Sequence, residues 1–542
     1  MSTVLPARAS GATDVPLLAD TIDANLRLAV ERFGEREALV VRHQDVRWTY
    51  AELDHQVDRL ARSLMAIGVE AGDRVALWSP NRYEWVLVQY ATARVGAIMV
   101  CVNPAYRTSE LEFALRQSGS TLLFAAPRFK TSDYESMWAE VAPRCPGVER
   151  AIFFASSEWD ELLDAGTSVS PGEVAARGAS LSADDPINIQ YTSGTTGLPK
   201  GATLTHRNIL NNGYFVGETL RYTEHDRVCI PVPFYHCFGM VMGNLGSTTH
   251  GSCMVVPGEA FDPVAVLDAV AAERCTSLYG VPTMFIAELA VPDFDRYDLS
   301  SLRTGIMAGS PCPAEVMKAV IERMHMTDVT ICYGMTETSP VSTQTVADDP
   351  FDKRVGTVGR VHPHVEVRIA DPDTNETLAR GADGEVQTRG YSVMRGYWDE
   401  PDKTAAAIDD EGWMHTGDLG VMDDEGYVAI TGRIKDLIIR GGENISPREI
   451  EEFLYGHPDI KDVQVVGVAD PVYGEAVCAF VQPRDGATLT TDEVRAFCEG
   501  KIAHFKIPRY VLSVDEFPMT VTGKIQKYKL REQAHDALQI TA

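Results

Sequence analysis

A chain of 542 residues is longer than one compact core normally organises, so two or more domains are expected. Its 45% hydrophobic and 23% charged residues suit a soluble globular protein, and 77 acidic against 49 basic side chains leave a formal charge of −28. That balance excludes non-specific nucleic-acid binding and a polybasic membrane anchor, both of which need a basic surface. The ten cysteines are scattered without a Cys-x-x-Cys pair, which suits reduced, buried thiols better than a disulfide frame or a zinc site. No secretory signal opens the chain, and its longest clean apolar run, 95–102, is too short to span a bilayer. A cytoplasmic protein without an integral membrane segment is expected.

Residues 1–16 read as a flexible leader. A helix is expected over 22–33, then a hairpin-like pair of strands through 38–48. Thr49-Tyr50-Ala51-Glu52 makes a capping box, and Leu53, Val57, Leu60 and Leu64 recur behind it at helical spacing. A strand at 74–78, a helix over 84–94 and a buried strand at 97–102 follow. Residues 109–112 cap a further helix before a strand at 122–125. Such alternation of strand and helix points to doubly wound parallel sheets. The stretch 158–185, richer in Ser, Gly, Asp and Ala, reads as a loop-rich excursion.

At 187–191 an alternating strand pattern runs into Thr192-Ser193-Gly194-Thr195-Thr196-Gly197-Leu198-Pro199-Lys200-Gly201. This is the composition of a phosphate cradle. Glycines let backbone N–H groups turn inward, hydroxyls add donors, and Lys200 adds a mobile charge for a terminal phosphate. A Walker A loop is excluded, because Lys200 stands between Pro199 and Gly201 rather than before Ser or Thr. The bland alternative is a polar surface turn.

From 351 to about 430 the pattern changes to short strands at 365–369, 384–387 and 427–430, a β-rich subdomain. Beyond 433, Ser446-Pro447-Arg448-Glu449 reads as a capping box with Pro at the first helical position. Strands are expected around Val463, Val465 and Val468 and over 476–481, and Thr490–Glu493 caps a last helix. The expected fold class is therefore α/β. A large domain of doubly wound parallel sheets, with its β-rich subdomain, spans 17–434, and a small α+β domain spans 435–542.

The stretch 191–201 resembles the phosphate loop of the adenylate-forming superfamily, which includes acyl-CoA synthetases, peptide-synthetase adenylation domains and luciferases. Five further motifs follow in that family's order: Tyr333-Gly334-Met335-Thr336-Glu337, Thr416-Gly417-Asp418, Gly432-Arg433-Ile434-Lys435-Asp436, Gly441-Gly442-Glu443-Asn444 and Thr522-Gly523-Lys524. The resemblance implies ATP, Mg²⁺ and coenzyme A as cofactors and a small-molecule acid as substrate. By it, Glu337 holds Mg²⁺ together with Thr192, while Ser193, Gly194, Thr195, Thr196, Gly197 and Lys200 grip the phosphates. Tyr333 stacks on adenine beside Gly334, Met335 and Thr336, with Gly309, Ser310 and Pro311 as the opposite wall.

The same resemblance makes Asp418 the ribose acceptor, Arg433 its companion from the far side, and Lys435 the hinge on which the small, mobile domain turns. Residue type alone leaves Asp418 as a turn former and Lys435 as a solvated linker lysine equally open. Gly441, Gly442 and Glu443 would line the tunnel for the pantetheine arm. Residues 501–531 hold seven basic side chains against Asp515 and Glu516 only. Within them, Lys524 resembles the catalytic lysine that bridges substrate carboxylate and α-phosphate. Loss of one such preorganised charge commonly costs about 10²–10³ in rate.

For the acyl end, the resemblance places Tyr235 and His236 beside the substrate carboxylate, although His236 reads equally as an ordinary core histidine. Val232, Met240, Val241, Met307 and Met335 complete the expected pocket. Amino-acid-activating relatives carry an aspartate here, and none occurs between Val232 and Gly246, which favours an apolar tail. The stretch 250–280 looks most like medium-chain acyl-CoA synthetases. His362-Pro363-His364 has no further ligand cluster and reads as a loop. The resemblance thus implies an ATP-dependent fatty acid–CoA ligase, probed first with medium-chain acids. An aryl or branched acid, or a carrier-protein thiol as acceptor, are the alternatives, and a homodimer is left open. A kinase-like ATPase would instead yield ADP, and a non-catalytic nucleotide-binding regulator would show no pyrophosphate exchange.

Overall fold

The computed structural model describes residues 5–192, 199–310, 312–440, 443–484, 486–520 and 525–539. They fall into two compact units, one of Ala9–Val367 with Thr388–Met414, the other of Met1–Arg8, Arg368–Gln387 and His415–Ala542.

The larger unit is built on two sheets. In the seven-stranded sheet, Pro186–Thr192, Ile98–Val102, Arg74–Trp78, Leu122–Ala125 and Arg150–Phe153 run parallel in that spatial order. At one edge the sheet turns antiparallel, through Lys200–Thr205 and then Gly396–Tyr397. The nine-stranded sheet repeats the plan. A parallel centre that includes Ser277–Gly280, Thr304–Ala308 and Asp328–Gly334 gives way to antiparallel Val341–Gln344. Strands buried on both faces are near-continuous apolar runs, and Ile98–Val102 is buried at every position.

In the smaller unit, Ile460–Asp470 and Gly474–Pro483 form a long antiparallel pair, flanked by Ile438–Arg440, Glu443–Ile445 and Tyr510–Ser513. The two-residue period of a strand sorts its side chains between two cores. Val477, Ala479 and Val481 join Ile450 and Val494 on one face, while Ala476, Cys478 and Phe480 join Phe517 and Leu530 on the other.

Most expected elements form at their expected places, and the Thr49 and Thr490 capping boxes are both made. Five differ. Residue Ala7 is fully buried and Arg8–Ser10 is a strand, within the stretch read as a flexible leader. The excursion at 158–185 carries two helices, Ser157–Ala165 capped by Ser156 and Pro171–Ala179 opened by a Ser170/Glu173 box with Pro at its first position. Small-residue composition concealed those caps. The helix Thr108–Ser118 starts one residue before Ser109, with Glu110 accepting from the Arg107 N–H. Ser446 does not cap Pro447–Leu454; its hydroxyl donates to the Thr431 carbonyl instead. Finally, Lys527–Leu538 follows the helix Thr491–Cys498 and is the last. All ten cysteines are free thiols, and nine are buried.

Candidate active site

The antiparallel strands Pro186–Thr192 and Lys200–Thr205 pair Tyr191 with Gly201 and Thr192 with Lys200, so this hairpin brings the residues on either side of the glycine–threonine stretch together. Residues 193–198, including Ser193, Gly194, Thr195, Thr196 and Gly197, lie outside the described residues, as do Pro311, Gly441, Gly442 and Lys524. Both stems of the hairpin are described, and they carry Thr192 and Lys200 into the site.

The neighbouring sheet supplies the other expected nucleotide residues. Thr304–Ala308 and Asp328–Gly334 are parallel with Ala308 opposite Cys332, so Gly309 and Ser310 leave the sheet beside Tyr333 and Gly334. Ligands of open α/β sheets bind at such carboxyl ends. Gly309 has φ +92, a conformation glycine adopts without strain. At Gly334 a Cβ would lie 1.7 Å from the Pro340 carbonyl oxygen, so only glycine lets the antiparallel strand come this close. Tyr333 is half-buried, and Met335 and Thr336 turn into a short 3-10 helix, Thr336–Thr338.

That turn places Glu337, only 5% exposed, under the hairpin end. Its Oε1 accepts a hydrogen bond from the Tyr397 hydroxyl at 2.9 Å and lies 3.5 Å from the Thr192 hydroxyl. The Thr192 hydroxyl also lies 3.4 Å from the Lys200 carbonyl oxygen; its single proton serves one acceptor at a time. Lys200 Nζ sits over the face of Tyr397, 4.7 Å from the ring centroid. Burial first, and the Glu337 charge next, push the Tyr397 phenol far above its ordinary range, so it is a fixed donor. Among the described residues no lysine, arginine or histidine pairs with Glu337. A buried carboxylate that meets only hydroxyls among the described residues matches a site for a hard cation. No cluster of three or more metal-ligating side chains occurs among the described residues. Mg²⁺ fits such a place, because it takes one or two carboxylates and completes its shell with phosphate oxygens and water.

Tyr397 is one residue that the sequence alone does not reveal. Gly396-Tyr397-Trp398 offers only an aromatic in a two-residue strand, and its pairing with Ala202 is what carries it to Glu337.

In the smaller unit, Asp418 and Arg433 face each other across the antiparallel strands Met414–Met422 and Val428–Arg433. Arg433 Nε donates to Asp418 Oδ1 at 2.8 Å; the aspartate side chain is 8% exposed and the arginine 58%. Behind Asp418 stands a second missed group. Glu385 accepts from His415, Gln387 and the Gly417 N–H. Burial pushes the Glu385 carboxyl up, but these donors outweigh it and hold it below the ordinary carboxylate range. The network fixes the Thr416-Gly417-Asp418 turn. Lys435 is exposed in the short 3-10 helix Ile434–Asp436. Glu443 opens the strand Glu443–Ile445. Four of the basic side chains in 501–531 are paired with acids far away in sequence: Lys506 with Glu449, Arg509 with Asp470, Lys527 with Glu451 and Arg531 with Asp436.

Val232, Tyr235, Met240 and Val241 share a core cluster, with Met335 packed against it, and the rings of Tyr235 and His236 lie 4.3 Å apart. Met307 belongs to the other cluster, because strand alternation sends Ile306 and Ala308 to the first face and Met307 to the second. The segment Phe238–Leu245 is a π-helix, a form that recurs at functional sites. Beneath it Gln190 Nε2 lies 2.9 Å from Met240 Sδ, Cys237 donates to Gln190 and Gln89 donates to the Met240 carbonyl. His362 is buried and held down to about 4 by that burial, its ring bonded to Gln344, while His364 Nε2 donates to the Val15 carbonyl.

The ordered motifs of the sequence, with a buried carboxylate at the ends of the parallel strands, mark a nucleotide-dependent acid-activating enzyme. Comparison with known proteins agrees: residues 26–398 match the family model for AMP-binding enzymes and residues 449–524 that for the AMP-binding enzyme C-terminal domain. The chain belongs to the AMP-binding enzyme family. It is 49% identical to the putative acyl-CoA synthetase YngI of Bacillus subtilis, over 97% of this chain and 99% of the relative. It is 44% identical to the mitochondrial medium-chain acyl-CoA ligase ACSF2 of Danio rerio, over 97% and 90%. Among solved structures, ATP-bound MatB from Rhodopseudomonas palustris superimposes with a TM-score of 0.85 at 32% identity, covering 96% of this chain and 100% of that one. No helix among the described residues is long and apolar enough to cross a membrane.

Proposed function

We propose that this protein is an ATP-dependent fatty acid–CoA ligase of the cytoplasm, acting on medium-chain acids. The observation that carries the reading is near-full-length similarity to acyl-CoA ligases combined with a buried Glu337 at the end of the phosphate-loop hairpin. In the first step a carboxylate oxygen of the acid attacks the α-phosphorus of ATP. The bond from that phosphorus to the bridging oxygen breaks, giving acyl-AMP and pyrophosphate. In the second, the CoA thiolate attacks the acyl carbon and AMP leaves with the C–O electron pair.

Activation makes the acyl group its own electrophile, so the chain's work is positioning and charge neutralisation. Thr192, residues 193–197 and Lys200 hold the phosphates; Tyr333, Gly334, Met335 and Thr336, with 309–311, hold the base. Asp418 and Arg433 take the ribose side, and His236 with Tyr235 orients the carboxylate. Glu337 and Thr192 would hold Mg²⁺, which supplies charge neutralisation for the departing pyrophosphate. Lys524 acts in the first step. Rotation of residues 435–542 about Lys435 then exchanges it for Gly441, Gly442 and Glu443, which line the path of the pantetheine arm. An apolar acyl tail is supported by the cluster of Val232, Met240 and Val241.

The test is product analysis over straight-chain acids of graded length, with aryl and branched acids included and CoA or a carrier-protein thiol as acceptor. AMP with pyrophosphate is expected, with CoA as acceptor and the best turnover on medium chains, because each buried CH₂ contributes about 0.8 kcal/mol until the pocket floor is reached. ADP as the nucleotide product refutes the assignment.

A further inference from the structure

We propose that Tyr397 is a positioning residue that couples the cation-binding carboxylate of Glu337 to the phosphate-binding lysine, Lys200. The inference rests on the ligase reading above and adds a residue to its machinery.

Two contacts of one buried side chain carry it. The Tyr397 hydroxyl donates to Glu337 Oε1 at 2.9 Å, and the ring face receives Lys200 Nζ at 4.7 Å from its centroid. The residue is only 7% exposed. A donor to one carboxylate oxygen fixes the rotation of the group and leaves Oε2 facing elsewhere, so the acid is presented in one orientation. A cation held over an aromatic face keeps its charge and its three donors for a ligand, whereas a carboxylate partner would neutralise it. Tyr397 therefore keeps opposite charges apart while ordering both. Without an aromatic between them, Lys200 and Glu337 would be drawn together, and each would occupy the other in place of its ligand.

The backbone around Tyr397 is anchored for this task. Its N–H donates to Thr404 Oγ1 at 2.9 Å, and the Trp398 N–H donates to the Gly201 carbonyl at 2.7 Å on the lysine-bearing strand. Gln117 Nε2 donates to the Trp398 carbonyl at 2.6 Å, and Gln117 Oε1 accepts from Tyr191 on the other strand of the hairpin. The short strand is thus tied to both stems of the phosphate-loop hairpin, and Tyr397 moves with them. A buried tyrosine serving packing alone would need one hydroxyl acceptor, not a cation on its face as well.

The experiment uses the full chain and two direct binding readouts: Mn²⁺ by electron paramagnetic resonance in the presence of α,β-methylene-ATP, and the same analogue in metal-free buffer by calorimetry. Tyr397→Phe keeps the ring and deletes the donor, so half-saturating Mn²⁺ rises about tenfold, the scale of a hydrogen bond to a charged group. Metal-free binding of the analogue stays within twofold. Tyr397→Leu deletes the ring as well and weakens metal-free binding about fivefold, the scale of a cation–π contact. A Tyr397→Phe protein that unfolds at the parent's temperature and binds Mn²⁺ within twofold of the parent overturns the proposal. If that variant does not fold, Thr404→Val decides in its place by releasing the Tyr397 N–H: a threefold rise in half-saturating Mn²⁺ supports the coupling and an unchanged value overturns it. Wild-type protein that binds Mn²⁺ and the analogue yet releases no acid-dependent pyrophosphate sinks the ligase reading and leaves the Tyr397 result standing.

Discussion

Replacing Gly334 by alanine tests whether the close approach of two strands is what shapes the nucleotide site. The added Cβ would lie 1.7 Å from the Pro340 oxygen, 2.8 Å from its carbon and 3.1 Å from the Ser342 nitrogen. Every one of these atoms is backbone, so no side chain can swing away. A carbon and a carbonyl oxygen settle at about 3.3 Å, which means Asp328–Gly334 and Val341–Gln344 must part by about 1.6 Å. Overpacking of this kind costs about 1–3 kcal/mol in stability. Gly334 stands between Tyr333 and Met335 and leads directly into the turn that presents Glu337, so the displacement falls on the residues proposed to hold the nucleotide and the cation. A shift of about 1 Å there is worth about 10²-fold in rate. Acid-dependent pyrophosphate release should fall by that order, and the urea midpoint should drop. Gly356→Ala is the control: its Cβ meets nothing within 4 Å and its φ is not positive, so activity should be unchanged. A Gly334→Ala enzyme with parental midpoint and activity within twofold would refute the argument.

The two half-reactions should separate by mutation. Lys524→Ala is expected to abolish acyl-AMP formation while thioester formation from supplied acyl-AMP survives, and Lys435→Pro, stiffening the exposed turn at 434–436, is expected to do the reverse. Equal loss of both steps in both variants rules out a two-pose cycle. Glu288 predicts a pH effect on stability. Burial holds its carboxyl well above the ordinary range, and neither oxygen has a hydrogen-bond partner among the described residues. The folded chain therefore keeps a proton that the unfolded chain releases near pH 4.5, and folding loses stability as pH rises beyond that value. Glu288→Gln should gain on the parent as pH rises above about 4.5, by up to about 1.4 kcal/mol per pH unit while the folded carboxyl keeps its proton, read from urea midpoints. A difference that does not change with pH refutes this account.

Much of the fold was written locally. Capping boxes at Thr49 and Thr490, the strand at Arg74–Trp78 and the helix at Ile22–Phe33 depend on side chains within a few residues of one another, and the structure has them where those residues stand. The order of the motifs, from Thr192 to Lys524, was legible for the same reason: each is a short run whose composition is its own signal. Where local composition was ambiguous, as at 158–185, two capped helices passed for loop.

Partners across a sheet leave no local trace. Thr192 and Glu337 are 145 residues apart, Glu337 and Tyr397 are 60 apart, and only the neighbouring of particular strands brings them to one place. The basic run after 501 has only Asp515 and Glu516 as local acids, but folding sets acids from 436–470 against four of its members. Met307 had the composition of a pocket residue, and strand parity put it on the opposite face. The sequence by itself determined which chemical groups are available and which elements carry them, because hydrophobic period and capping act over a few residues. Only the tertiary structure decided which groups meet, because strand order and register are set by burial summed over the whole domain.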